Sequence, residues 1–239
     1  VRLKFASYNI HKAVGTDRRR DPDRIITVLR EMDADIIALQ EADRRVGERA
    51  SVLERAALDD SPWKVLDVAK RPRSIGWHGN AILVRRTFTV LDAEPIDLPT
   101  LEPRGAARGD LEIDGARIRV VGMHLDLSGL RRRDQIKAVI GHVDACEPRC
   151  PTVLMGDFNQ WGNQTGAMQE FRRHWHVLDT GRSFPSRQPI ARLDRIVTSD
   201  EWGCLEQHVH HSATASQASD HLPIVAELEL PDLQASPNY

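Results

Sequence analysis

Short apolar runs broken by polar residues fill the chain, and their spacing alternates between the period of a strand and that of a helix. Leu3 to Asn9 alternates as a strand does. Asp21-Pro22 then reads as a helix start, a capping carboxylate followed by Pro at the first helical position. Ile25, Leu29 and Met32 carry the apolar face to the Asp33-Ala34-Asp35 break. Ile36-Ile37-Ala38-Leu39 is apolar at every position, as in a strand buried on both faces. A weaker helical pattern covers about Ser51 to Leu58.

From Lys64 to His124 the pattern predicts strands over Lys64–Val68, Gly79–Arg85, Thr87–Asp92, Gly105–Ile113 and Arg117–His124, with Asp114-Gly115 as a hairpin turn. Ile136, Val139, Ile140 and Val143 mark a helix. Thr152–Met155 is a further buried strand, Gln164–Phe171 a short helix, and Leu193–Thr198, Trp202–His210 and Leu222–Leu230 close the set as strands. Roughly ten strands and three or four helices, hairpins mixed with strand–helix–strand crossovers, predict an α/β chain of two packed sheets flanked by helices. No repeat or linker divides it, so a single domain over residues 1–230 is expected, with 231–239 as a frayed tail.

The polar residues that end these runs carry the chemistry. Asn9 ends the first strand, Glu41 follows the second, His124 ends Ile118–Met123, and Asp157 with Asn159 follows Val153–Gly156. Asp194 opens the Leu193–Ile196 run, and Asp220-His221 stands before Leu222. Strand ends let a rigid sheet hold several side chains toward one point. These oxygen and imidazole groups fit metal-assisted attack of water on phosphorus. Asn9 and Glu41 supply hard oxygen ligands for a cation such as Mg²⁺. Asp157 would orient the water, with Asn159 as a hydrogen-bond donor. His221, held by Asp194, would be a charged donor to the developing negative charge. His11-Lys12, beside Asn9, is a candidate phosphate contact.

Ser-Tyr-Asn9-Ile, Leu-Gln-Glu41-Ala-Asp, Gly79-Asn80-Ala81-Ile82, Gly122-Met-His124-Leu, Gly156-Asp157-Phe-Asn159, Leu193-Asp194-Arg195-Ile196 and Ser219-Asp220-His221 follow one another in order. This series resembles the ordered motifs of the endonuclease/exonuclease/phosphatase superfamily, over about residues 3–229. The resemblance implies a four-layered α/β/β/α sandwich with the site at one edge of the packed sheets, and dependence on Mg²⁺ or Mn²⁺ with Asn9 and Glu41 nearest the metal. It further implies that Asp220 supports the site or touches the metal, and that His124 and Asn80 contact phosphate.

Ser219-Asp220-His221 is not read as a serine-hydrolase triad: no Gly-x-Ser-x-Gly elbow occurs, and sequence neighbours do not form triad geometry. His208, His210 and His211 read as exposed surface, Arg71/Arg73 and Arg131-Arg132-Arg133 as solvated charge, and Trp77 and Trp161 as core or as contacts for a base or lipid. Cys146, Cys150 and Cys204 read as reduced thiols, which makes the cytoplasm the expected compartment; a leader removed upstream of Val1 stays open. No run approaches the ~20 apolar residues of a membrane span, and a monomer is expected.

Lys+Arg 33 against Asp+Glu 35 leaves a net charge of −2, without the bulk positive charge of a tight duplex-DNA binder. The expected substrate is therefore a small or lipid-type phosphodiester or phosphomonoester. A DNA or RNA nuclease is the alternative, and a non-catalytic phosphate-binding module a minor one.

Overall fold

In the computed structural model, which describes residues 1–100, 104–162, 165–171 and 174–231, twelve strands form two six-stranded mixed sheets. The first contains β1 (Arg2–Asn9), β2 (Ile36–Gln40), β3 (Trp63–Val65), β4 (Ala81–Arg85), β11 (Gly203–Val209) and β12 (Ile224–Glu229), in the order β11-β12-β1-β2-β4-β3. The second contains β5 (Thr89–Asp97), β6 (Gly105–Ile113), β7 (Ala116–His124), β8 (Thr152–Asp157), β9 (Trp175–Val177) and β10 (Asp194–Ser199), in the order β5-β6-β7-β8-β10-β9. Each sheet has one parallel pair at its centre. β1 crosses to β2 through α1 (Pro22–Met32), and β7 crosses to β8 through α3 (Gly129–Ala145).

Side-chain alternation sorts three apolar layers. Leu3, Phe5, Ile36, Ala38, Ile82 and Val84 of the first sheet meet Ile118, Val120, Val153, Met155 and Ile196 of the second. The opposite parity, Ala6, Tyr8, Ile37 and Leu39, packs with Ile25, Leu29 and Met32 of α1. Val121, Met123 and Leu154 pack with Ile136, Val139 and Val143 of α3. Helix, sheet, sheet and helix are thus the four expected layers. Each fully buried Leu, Ile, Val or Phe contributes roughly 1.5–3 kcal/mol. Gly122 is where the sheets come close: a Cβ there would stand 3.2 Å from Cβ of Ala38.

Asp21 caps α1 by accepting from Arg24 N, and Pro22 begins the helix, as the sequence predicts. Asp114 and Gly115, with φ of 50° and 77°, make the expected hairpin. β5 runs five residues past its expected end, through Pro95. It is an edge strand, where a missing N–H goes unmissed. The stretch from Ser51 holds only the single turn α2 (Arg55–Asp59). Gly166–Glu170 is a 3-10 turn, and Gln164 of the expected helix lies outside the described residues, as do 232–239 of the tail. The short β9 and α4 (Ala213–Ala218) carry little apolar periodicity; α4 is set by Ser212, which caps Ala215 N. Among the described residues no helix is long and apolar enough to cross a membrane, and all three cysteines are free.

Candidate active site

The inner faces of the two sheets turn from apolar to polar at one rim. Along β1 the inward series is Leu3, Phe5, Ser7, Asn9, and along β8 it is Val153, Met155, Asp157. Ile118 and Val120 of β7 lead to His124, and on antiparallel β10 Ile196 leads back to Asp194. Register finishes the arrangement: Asp157 lies opposite both His124 and Asp194. Parity and register together therefore gather Asn9, His124, Asp157 and Asp194 where the sheets meet.

Asp157, 1% exposed, is the hub. Its Oδ2 accepts from Asn9 Nδ2 at 3.0 Å and its Oδ1 from Asn159 N at 2.9 Å. Two imidazoles flank Oδ2, His124 Nε2 at 3.4 Å and His221 Nε2 at 3.7 Å. His221 donates from Nδ1 to Asp194 Oδ2 at 2.8 Å. Ser219 ties this segment to β1, donating to Asn9 O at 2.7 Å and accepting from His221 N.

The two rings are driven to opposite charge states. Burial pushes His124 down to about 4, against Asp157 and Glu41, and Arg104 beside the ring adds to the drop. Burial disfavours charge on His221 as well, yet Asp194 and Asp157 outweigh it and raise the ring to about 10. At neutral pH one ring is neutral and its neighbour cationic, the separation acid–base chemistry uses.

Glu41 and Asp220 approach from two sides of a left-handed turn. His11, Lys12 and Ala13 all have positive φ, as does Glu41, backbone held in a sparsely populated region. Lys12 donates to Glu41 Oε2, and His11 Nδ1 lies 3.8 Å from Asp220 Oδ1 while contacting Val14 O. The expected phosphate contacts His11 and Lys12 thus rest on the expected metal residues. Despite burial, Lys12 with His124 and His11 holds the Glu41 carboxyl below its usual range. Gly79 (φ 82°) lies against Glu41: a Cβ there would stand 3.4 Å from its Cα.

Asn80 is fully buried, and its Nδ2 donates to Trp77 O and Gly105 O. Donation to phosphate would cost one of those bonds, so Asn80 here braces the turn against β6. Asn159 likewise turns Nδ2 to Leu125 O at 2.8 Å. Arg104 had no motif to reveal it; its Nη1 lies 2.6 Å from His124 Nε2. Arg195, also buried, donates to Gln160 O and Asp194 O, binding β10 to the loop after Asp157. His208 is exposed and pairs with Glu206 at 3.2 Å, as the sequence predicts, whereas His210, half-buried, pairs with Glu31 at 2.9 Å.

The donor chemistry fits a hard divalent cation. Carboxylates of Glu41, Asp157, Asp194 and Asp220 and the amide of Asn9 supply oxygens, and no thiol is near. Asp157, Asp194 and His221 crowd within 4.8 Å of one another, but His221, cationic and bonded to Asp194, has no lone pair for a metal, which leaves the oxygens. Asp194 Oδ1 is buried without a hydrogen-bond partner.

The same fold occurs in solved structures of low sequence identity. An endonuclease/exonuclease/phosphatase from Bacteroides vulgatus is 17% identical, with a TM-score of 0.77 over 97% of this chain and 100% of that one. Danio rerio TDP2, complexed with a single-strand DNA product, is 15% identical, with a TM-score of 0.73 over 95% and 99%. The human Nocturnin catalytic domain with a bound sulfate anion is 15% identical, with a TM-score of 0.73 over 96% and 95%. No curated protein sequence gives a significant match. The profile of the Endonuclease/Exonuclease/phosphatase family matches residues 6–221. Spanning both sheets and every residue of the rim, that match makes the chain a member of the endonuclease/exonuclease/phosphatase family, metal-dependent hydrolases of phosphoester bonds.

Proposed function

We propose that the protein hydrolyses a P–O ester by in-line attack of a water held at Asp157, on a small or lipid-type phosphodiester or phosphomonoester. The observation that carries this reading is the single carboxylate of Asp157 between one cationic and one neutral imidazole. Asn9 and the Asn159 amide fix its two oxygens, so it presents a defined acceptor for the water's proton. His221, kept charged by Asp194, donates to the phosphoryl oxygens as negative charge gathers there. Arg104 supplies positive charge on the His124 side.

Mg²⁺ or Mn²⁺ would be held by Asn9 and Glu41, with Asp220 in support, and Lys12 would yield Glu41 to it. When bound, the cation supplies further neutralisation of the phosphate.

The test is hydrolysis of bis- and mono-nitrophenyl phosphates with Mg²⁺ or Mn²⁺. Chelation should abolish it, and Asp157→Ala should lower turnover by about 10³-fold or more, as loss of a central catalytic group does, without unfolding the chain. Full activity in excess chelator, or in that variant, would refute the assignment.

A further inference from the structure

The cleft continues past the catalytic rim into a cationic wall. Arg44, Arg45 and Arg49, from the loop directly after β2 and Glu41, line one cavity with Lys12, His78, Arg104 and His124. Its carboxylates are Glu41 and Asp43, and both are engaged. Lys12 sits on Glu41, while Asp43 faces the neighbouring loop, accepting from Ser74 Oγ and from Ile75 N at 3.1 Å. Arg49 Nη1 donates to His78 Nδ1 at 2.7 Å. Burial first and then Arg49 lower the His78 pKa, so the ring bonded to this guanidinium is neutral; Asp43 is the carboxylate that feels its charge. Arg44 is exposed, and its side chain makes no hydrogen bond or ion pair among the described residues.

The loop is a built platform. Arg44 N bonds to Ala50 O, Val52 N to Ala42 O and Ser51 N to Arg73 O, while Arg73 pairs with Glu48 at 2.6 Å. Arg44 and Arg49, with Lys12 alongside, give this cleft a locally positive field in a chain whose net charge is −2, and such a field draws anions. Guanidinium forks match phosphate oxygens in geometry as well as charge. A lone scissile phosphate, already met by His221 and the metal residues, does not need this second group of donors.

We infer that the loop carrying Arg44 and Arg49 is a subsite for a second phosphate of the substrate, one beyond the ester that is cleaved. This inference rests on the phosphoesterase reading above. The second phosphate could come from an oligonucleotide or from a polyphosphorylated small molecule; the recognising chemistry is the same.

The experiment compares two esters differing only in that group: the p-nitrophenyl ester of thymidine 5′-phosphate with and without a 3′-phosphate, each with Mg²⁺. The wild-type protein should favour the 3′-phosphorylated ester in kcat/KM by about tenfold or more, the worth of one charge-assisted hydrogen bond. The gain should lie mainly in KM. In Arg44→Ala and, separately, Arg49→Ala, the ratio of the two kcat/KM values should fall toward one. The Arg44 side chain has no hydrogen bond or ion pair to lose, and Ala keeps the backbone bond to Ala50 O, so this variant tests the subsite even if the other folds poorly. Competition by a short single-stranded DNA and by glucose 1,6-bisphosphate separates the two sources, the tighter inhibitor naming the class. Equal kcat/KM for both esters, or a ratio unmoved in Arg44→Ala and Arg49→Ala, would overturn the subsite while leaving the phosphoesterase standing. No hydrolysis of either ester would instead overturn the reading beneath it.

Discussion

Asp194 and His221 form a buried carboxylate–imidazolium pair, Oδ2 accepting from Nδ1 at 2.8 Å, which aims the other ring nitrogen at Asp157. Asp194→Asn keeps the shape and removes the charge. The His221 ring, raised to about 10 largely by Asp194 and Asp157 against burial, should then titrate at clearly lower pH. Ring NMR signals of His221 should shift between pH 6 and 8 in the variant and stay fixed in the wild type, and kcat should fall by about 10²–10⁴-fold. An unchanged titration would refute the pairing as the source of the charge.

His124 and His221 should shape stability at opposite ends of the pH range. The folded-state value of His124, about 4, lies below its ordinary 6.5, so the unfolded chain binds more protons between those values. Metal-free protein should lose about 3 kcal/mol as pH falls from 6.5 through 4. His221 is raised, so its contribution is complete below 6.5 and disappears as pH climbs through about 10. Denaturant melts across pH should show both flanks, and His124→Asn should flatten the acidic one.

Lys12 and the cation would compete for Glu41. Mg²⁺ or Mn²⁺ should raise the melting temperature of the wild type, by the equivalent of about 2.7 kcal/mol at a hundred times Kd. Glu41→Gln should abolish that rise, whereas Lys12→Ala should bring it on at lower metal concentration. Calorimetric titration and melting curves read this without any substrate. A metal-dependent rise that survives in Glu41→Gln would remove Glu41 from the metal site.

Asp110, far from the rim, holds the outer face of the second sheet. Both its oxygens take Arg119 at 2.8 Å, with Arg117 at 2.9 Å and Arg108 at 3.0 Å. Asp110 and Arg119 are each 1% exposed at the side chain. Asp110→Ala strands buried guanidinium charge and should cost about 3–5 kcal/mol. The melting temperature should drop by roughly 10 °C. Asp157→Ala, by contrast, should lower turnover by about 10³-fold or more with a far smaller drop in melting temperature. A small loss in the Asp110 variant would show that water reaches those arginines.

Periodicity by itself fixed the central strands, α1, α3 and the Asp114-Gly115 turn, because burial on one or both faces writes itself into the order of side chains. The order of the short motifs also carried the family, and with it Asn9, Glu41, Asp157, Asp194 and His221 as candidates. What periodicity could not reveal was any element whose shape depends on a neighbour: β9 pairs three residues with β10, and the left-handed turn at His11–Ala13 has no apolar pattern. Tertiary structure alone decided that Lys12 would rest on Glu41, that Asn80 would spend its amide on backbone, and that Arg104 would meet His124 twenty residues away. It also decided the charges of the two imidazoles, since burial and the carboxylates around each ring come from strands remote in sequence. Local order specifies which face a residue occupies; its proton affinity depends on what the opposite sheet brings against it.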